Sequence, residues 1–303
     1  MIYTITLNPS IDYVMEVADF KEGAVNRADR TMYYPGGKGI NVSRVLKRLG
    51  ADTMALGFTA GFTGNFIKER LIEEQVAVKL IEVEGTSRIN VKLKAGEETE
   101  INGSGPIVDE RAASRLISQL DALQPTDFVV IAGSLPGTVP STIYQAIVEK
   151  CKRHHANVVI DTGGSLLKEL LAYRPFLIKP NHHELGDLFG VSIRTKEEVV
   201  EYARRIHEQG VQNIIVSMAG EGAILYSEAG VYLAKAPKGN VKNSVGAGDS
   251  LVAGFLAGYE KYANIQEALR YGIASGSATA FSNDLCQKQE VDRLLNQVEI
   301  EKI

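Results

Sequence analysis

Tryptophan is absent from the 303-residue chain, and Cys151 and Cys286 are its only cysteines, far apart and with no CxxC spacing. That argues against a disulfide-stapled scaffold or a cysteine zinc site and fits a reducing intracellular compartment. No apolar run approaches the ~18 residues that a membrane-spanning helix requires. The opening MIYTITLNPS has no basic stretch leading into an apolar one, so no secretory leader is expected there, and the cytoplasm is the expected location. Positive charge is not in excess either. A formal net charge of −4 disfavours a general nucleic-acid binder but leaves room for a local basic pocket around a phosphorylated metabolite. Internal repeats, low-complexity tracts and Pro/Ser-rich linkers are missing, so residues 1–303 are expected to form one unit.

What is present is an alternation of short apolar runs with helical stretches. Residues 3–7 read as a strand that ends in the Asn8-Pro9 turn. Further strands are expected at 128–132 (FVVIA), 158–161 (VVID), 176–179 (FLIK) and 214–217 (IIVS), with helices over 142–154 and 196–208. Strands spaced by helices of this length predict an α/β fold with a mostly parallel sheet covered on both faces. Ligands of such sheets sit at the carboxyl ends of the strands. Those ends are Asn8-Pro9, Gly133-Ser134, Asp161, Asn181 and Ser217. Residues 78–102 differ: VKLIEVEG, SRINVKLKAG and EETEIN alternate and break at Gly85 and Gly96. They predict antiparallel strands of a small sheet acting as a lid that excludes water, with lid strands within 10–34 and 78–104.

Two glycine loops open helices: PGGKGINVSRVLKRLG at 35–50 and NSVGAGDSLVAG at 243–254. Neither is a P-loop, because Lys38 is followed by Gly39 and Met32 stands where that motif needs its first glycine. Neither has the third glycine of a dinucleotide fingerprint. Helix N-termini offer unpaired N–H groups and partial positive charge, so two such loops in one chain suit phosphate. Asp249, directly after the second loop, has a local explanation as a first-turn acid stabilising its helix by roughly 1 kcal/mol. Lys38 reads either as a solvated turn lysine or as a phosphate contact, and Arg88 either as a surface charge or as a substrate contact. Asp12 either caps a turn or faces a sugar, and Arg27 stays open between the same kinds of role. His182 and His183, adjacent on a helix, are expected to point apart at the surface, and His154-His155 to form a solvated helix end.

Five segments in order resemble the ribokinase-like (PfkB) family of carbohydrate kinases across essentially the full length. They are GGKGINVSRVLKRLG at 36–50, GSLPG at 133–137, KPNHHE at 179–184, VSMAGEGA at 216–223 and NSVGAGDSLVAGF at 243–255. The resemblance implies a three-layer ribokinase-like core with the small β-sheet lid. It implies ATP as phosphoryl donor and Asp249 as the general base for the acceptor hydroxyl. Gly246, Ala247 and Gly248, with the Asp249 amide, would surround the transferred phosphoryl group. Asp12, Gly37, Lys38, Asn41 and Ser134 would line the sugar-phosphate site, and Arg88 in SRINVKL would hold the substrate's own phosphate. Lys179, Ser217, Gly220, Gly222 and Gly248 would border the nucleotide. Asn181 and Glu184 would organise Mg²⁺ through water. NPSIDY, VNR and SRINVKL resemble the branch acting on phosphorylated ketohexoses, with fructose 1-phosphate ahead of tagatose 6-phosphate and fructose 6-phosphate. The lid's apolar residues leave two readings open, a homodimer through the lid or a cover for the site. The rival from another class is a sugar-phosphate sensor that kept the fold and lost the reaction, and the retention of Asp249, the GAG loop and the NxxE pair argues against it.

Overall fold

The computed structural model describes residues 1–140 and 142–303. The run IYTIT forms β1 (Ile2–Thr6), after which the chain leaves for the antiparallel pair β2 (Ser10–Glu16) and β3 (Arg30–Gly36). It returns through α1 (Lys38–Leu49), β4 (Thr53–Thr59), α2 (Gly61–Glu73) and β5 (Ala77–Glu82), then departs again in β6 (Arg88–Ala95) and β7 (Glu97–Asn102). The middle of the chain supplies α3 (Glu110–Ser118), β8 (Phe128–Ala132), α4 (Thr142–Arg153), β9 (Asn157–Asp161) and α5 (Gly164–Leu171). Next come β10 (Leu177–Ile178), α6 (His182–Phe189), α7 (Lys196–His207) and β11 (Asn213–Ser217). The last part adds β12 (Ala223–Ser227), β13 (Gly230–Lys235), α8 (Ala247–Tyr262), α9 (Ile265–Ala280), α10 (Lys288–Leu294) and β14 (Glu299–Lys302).

Ten strands form one sheet in the order β14-β13-β12-β11-β10-β9-β8-β1-β4-β5, parallel from β11 to β5 and antiparallel beyond β11. Its central strands are apolar on both faces because helices cover both. In β8, Val129 and Ile131 join the core beneath α3 to α7, while Phe128, Val130 and Ala132 join the core beneath α1, α8 and α9. The period-2 alternation of a strand thus feeds two apolar layers at once, giving the three-layer α/β/α arrangement.

The remaining four strands form a separate sheet, β3-β2-β6-β7. Two expectations are corrected here. Residues 78–82 belong to the main sheet, where β5 pairs parallel to β4 at the edge. Val78 and Leu80 pack on the cluster of Ile67 and Leu71 while Ile81 enters the large core. An edge strand with exposed Lys79 and Glu82 alternates just as a lid strand does, so the pattern alone cannot separate them. The small sheet is also mixed, since β2 pairs parallel to β6.

Candidate active site

The turn from β3 into α1 passes so close to β1 that a Cβ at Gly37 would lie 2.8 Å from Thr6 Cγ2, and Gly37 has φ 107°. Only glycine takes that path without strain. α1 therefore starts with no side-chain cap and no acid in its first turn. α8 likewise starts with no side-chain cap after Gly246, at φ 77°, but carries Asp249 in its first turn. Two helix N-termini without side-chain caps carry partial positive charge, a setting for anions; in α8 the Ala247 amide donates to the Ser244 carbonyl at 3.3 Å, which leaves those of Gly248 and Asp249.

Gly37, Lys38, Gly246 and Gly248 line one cavity of about 810 Å³. The carboxyl ends of β8, β9 and β10 contribute Ser134, Asp161 and Lys179 to it. Its remaining wall is one face of the small sheet. The β2–β6 register places Asp12 beside Asn90, so Arg88, Asn90 and Lys92 of β6 share Asp12's face. Asp12 Oδ1 accepts from Ser10 Oγ at 2.7 Å and from Asn90 Nδ2 at 3.3 Å, and Arg88 Nε donates to the Asn8 carbonyl at 3.0 Å.

Asp161, 1% exposed, holds both lysines: Lys38 Nζ at 3.1 Å and Lys179 Nζ at 3.5 Å from Oδ1. Burial pushes the Asp161 carboxyl up, yet Lys179 and Lys38 outweigh it and keep the group below the usual carboxylate range. Asp161 in turn holds Lys38 above its ordinary value. Asp249, 6% exposed, accepts from Asn41 Nδ2 at 2.8 Å. Burial first, and the Asp161 charge second, push the Asp249 carboxyl up to about 6, against the pull of Lys38, Asn41 and Lys179. A carboxylate poised there is ionised at neutral pH and basic enough to take a proton.

Asp12, Gly37, Lys38, Asn41, Arg88, Ser134, Lys179, Gly246, Gly248 and Asp249 all meet in this cavity, and Ala247 sits between its two glycines in the first turn of α8. Ser217, Gly220, Gly222, Asn181 and Glu184 do not line it. Ser217 ends β11 and bridges to Asn181. Gly222 has a packing reason of its own, because a Cβ there would collide with the Ala234 carbonyl of β13.

Asn181 and Glu184 form a capping box on α6: Glu184 N donates to Asn181 Oδ1 and Asn181 N to Glu184 Oε2, each at 2.8 Å. Glu184 Oε1 stays behind the cavity wall, 3.4 Å from where a Cβ on Gly163 would lie. Asp161 Oδ2 is buried with no hydrogen-bond partner among the described residues. Such leftover acceptors fit a hydrated hard cation, although no group of three or more His, Cys, Asp or Glu forms a direct metal cluster among the described residues.

Arg27 lies exposed between β2 and β3, outside the cavity. His182 and His183 correct their expectation: as the first two residues of α6 their rings sit 3.9 Å apart, and His182 is half-buried. Reading residue by residue passed over Asn90, Lys92 and Glu100. The period-2 spacing from Arg88 carried the signal for the first two.

A cavity lined by four cationic side chains at the carboxyl ends of a parallel sheet, with one buried carboxylate in the first turn of a helix, suits a phosphotransferase of the α/β class. The sequence profile of the pfkB family carbohydrate kinases matches residues 5–290, and the chain belongs to that family. It is 51% identical over 303 residues to the 1-phosphofructokinase of Bacillus subtilis (strain 168), covering 100% of each. It is 36% identical over 301 residues to the D-tagatose-1-phosphate kinase of Bacillus licheniformis, covering 99% of each. The crystal structure of phosphofructokinase-2 from Escherichia coli in complex with fructose-6-phosphate superposes with a TM-score of 0.92 at 26% identity, covering 98% of each chain.

The position of Asp249 has a measurable stability cost. Its folded value of about 6 lies above the ordinary 3.8, so the fold binds this proton more tightly than the unfolded chain. The resulting stabilisation is complete below pH ~4 and is lost as pH rises through about 6. Asp249→Asn is expected to be more stable than the parent at pH 8, by up to ~3 kcal/mol, with the difference closing towards pH 4. Urea denaturation of both proteins across that range measures it. A variant less stable at pH 8 would show that the carboxylate is a net structural asset.

Proposed function

We propose that the chain is an ATP- and Mg²⁺-dependent kinase that converts fructose 1-phosphate to fructose 1,6-bisphosphate. The observation that carries this reading is the placement of Asp249 in the first turn of α8, lining the same cavity as the polar face of the small sheet. The acceptor hydroxyl oxygen forms a bond to the γ-phosphorus of ATP, and the bond from that phosphorus to the β–γ bridging oxygen breaks. ADP leaves with the bonding pair, and Asp249 takes the hydroxyl proton. Lys38 and the first-turn amides of α8 meet the charge on the equatorial oxygens.

Asp12 and Asn90 suit the sugar hydroxyls, and Gly37, Asn41 and Ser134 complete that side. Arg88 suits the phosphate already on the substrate. Lys179 stands next to Gly248, where a Cβ would be 3.3 Å from its Nζ, and so serves the nucleotide's phosphates. Ser217, Gly220 and Gly222, at the ends of β11 and β12, border the rest of the nucleotide in this reading. Asn181 and the spare oxygen of Glu184 would hold Mg²⁺ through water, where it supplies charge neutralisation to ATP.

The small sheet, β2, β3, β6 and β7, acts as a lid on one catalytic unit spanning the chain. Its outer face carries Tyr13, Tyr33, Ile89 and Ile101, with Tyr33 and Ile101 53% and 60% exposed. We assign that apolar face to a second copy of the chain. Tyr33→Asp with Ile101→Asp is expected to halve the mass seen by sedimentation, and a parent that sediments as a monomer removes this assignment. The setting proposed is the cytoplasm; among the described residues no helix is long and apolar enough to cross a membrane.

A second reading concerns the sugar. The sequence suggested tagatose 6-phosphate as the neighbouring substrate, whereas the tagatose relatives of this chain are named for the 1-phosphate. Tagatose 1-phosphate and fructose 1-phosphate carry phosphate at the same carbon and differ only in the configuration at C4, so the choice rests with groups facing the ring. A sensor without activity is disfavoured by the intact pairings of Asp249 with Asn41 and of Lys38 with Asp161.

A coupled assay of ADP release across fructose 1-phosphate, tagatose 1-phosphate, tagatose 6-phosphate and fructose 6-phosphate is expected to give the highest kcat/KM with the first. No phosphate transfer to any of them would sink the kinase reading. Asp249→Asn is expected to lower kcat by roughly 10²–10⁴-fold while nucleotide affinity is retained. Turnover close to that of the parent would leave Asp249 as no more than a helix acid.

A further inference from the structure

Four cationic side chains, Lys38, Arg88, Lys92 and Lys179, and four acids, Asp12, Glu100, Asp161 and Asp249, line the cavity. A cavity for two phosphorylated substrates is therefore charge-balanced before either arrives, and each incoming phosphate must displace a resident acid or add to an existing pair. The four cations are not equally free to change partners. Lys38 and Lys179 share a carboxylate that is 1% exposed, and Arg88 is tied through Nε to a backbone carbonyl. Asp161 has nowhere to go if it loses its lysines, because an unpaired carboxylate out of water costs several kcal/mol.

Lys92 is different. It is 7% exposed, so its ammonium needs an anionic or hydrogen-bonding partner. Among the described residues that partner is Glu100 Oε1 at 2.9 Å, across the β6–β7 pair. Glu100 is on the outer strand of the small sheet, and its side chain is 46% exposed. Displaced, it turns into water at little cost, whereas Lys92 cannot turn out of the sheet's inner face without breaking the alternation that faces it to the cavity. Lys92 also lines a smaller cavity together with Asp12 and Arg44. It stands two residues from Asn90 and four from Arg88 on the same face, and that face lines the cavity that Asp249 also lines. The end of the sugar remote from the reacting hydroxyl therefore faces Arg88 and Lys92.

We propose that Lys92 and Glu100 form an exchangeable ion pair that selects for a phosphorylated sugar. Glu100 stands in for the substrate's own phosphate in the empty site, and Lys92 passes from Glu100 to that phosphate when the sugar binds. This rests on the phosphosugar-kinase reading above. Its ligand is the phosphate monoester of the acceptor, not the nucleotide. The exchange makes the two members of one ion pair act in opposite directions, which a purely structural pair cannot do.

The parent is first assayed on the four phosphosugars, and the variants are measured on whichever it turns over best. The kinase reading therefore stands or falls before any variant is made. Lys92→Met is expected to raise KM for the phosphosugar at least 30-fold, with KM for ATP within about twofold of the parent's. Lys92→Arg, which keeps the charge, is expected to recover most of that loss. Glu100→Gln removes the competitor and is expected to lower KM for the phosphosugar severalfold. Melting temperatures near the parent's confirm that each variant is folded. A rise in phosphosugar KM with Glu100→Gln overturns the exchange, as does a folded Lys92→Met with unchanged KM. Should Lys92→Met not fold, the direction of the Glu100→Gln effect alone decides.

Discussion

A carboxylate with no access to water must be met by positive charge, and at Asp161 that requirement organises the whole centre. Its partners come from distant parts of the chain: Lys38 begins α1, 123 residues earlier, and Lys179 follows β10. Desolvation of a lone carboxylate at this depth would exceed anything a single hydrogen bond returns. The two ammonium groups therefore cannot leave together, and the start of α1 is fixed against the ends of β9 and β10. The same charge is also felt by Asp249, where it adds to burial in raising the carboxyl. One buried acid thus sets the position of two lysines of the cavity and raises the basicity of Asp249.

Much of the frame was legible because it is local. β-branched apolar runs, their turn residues and the glycine stops of the helices specify strands and helices over a few residues, and the parallel sheet follows from their alternation. The two glycine loops were visible for the same reason. What spacing does not show is which charges face each other, since the Lys38–Asp161 and Asn41–Asp249 contacts join residues 123 and 208 positions apart. Asp161 appeared only as a strand end. The strand over 77–82 was misplaced because an edge strand of the main sheet and a lid strand share one alternation. Lys92 and Glu100 were passed over because strand register, not sequence distance, pairs them.

The NxxE segment shows how a local and a functional explanation coexist. Asn181 and Glu184 satisfy each other's backbone groups at the start of α6, which by itself accounts for both residue types. A capping box uses only one carboxylate oxygen. The other remains behind Gly163, at the edge of the cavity, fixed in place by the bond its twin makes. A cap therefore preorganises an acceptor at no extra conformational cost, because the side chain is already immobilised.

Asp249 resolves the other way. A first-turn acid that merely stabilises its helix does so from the surface, ionised and solvated, through amides and dipole. Asp249 is buried, its carboxyl is held near 6, and its Oδ2 accepts from Asn41 of another helix. Each of these features works against simple helix stabilisation, since desolvation at this depth offsets what the dipole returns. They suit the proposed role of a proton acceptor held in one orientation. In the proposed reaction the Gly248 and Asp249 amides of α8 would meet the phosphoryl group, and the carboxylate beside them would serve the hydroxyl that attacks it.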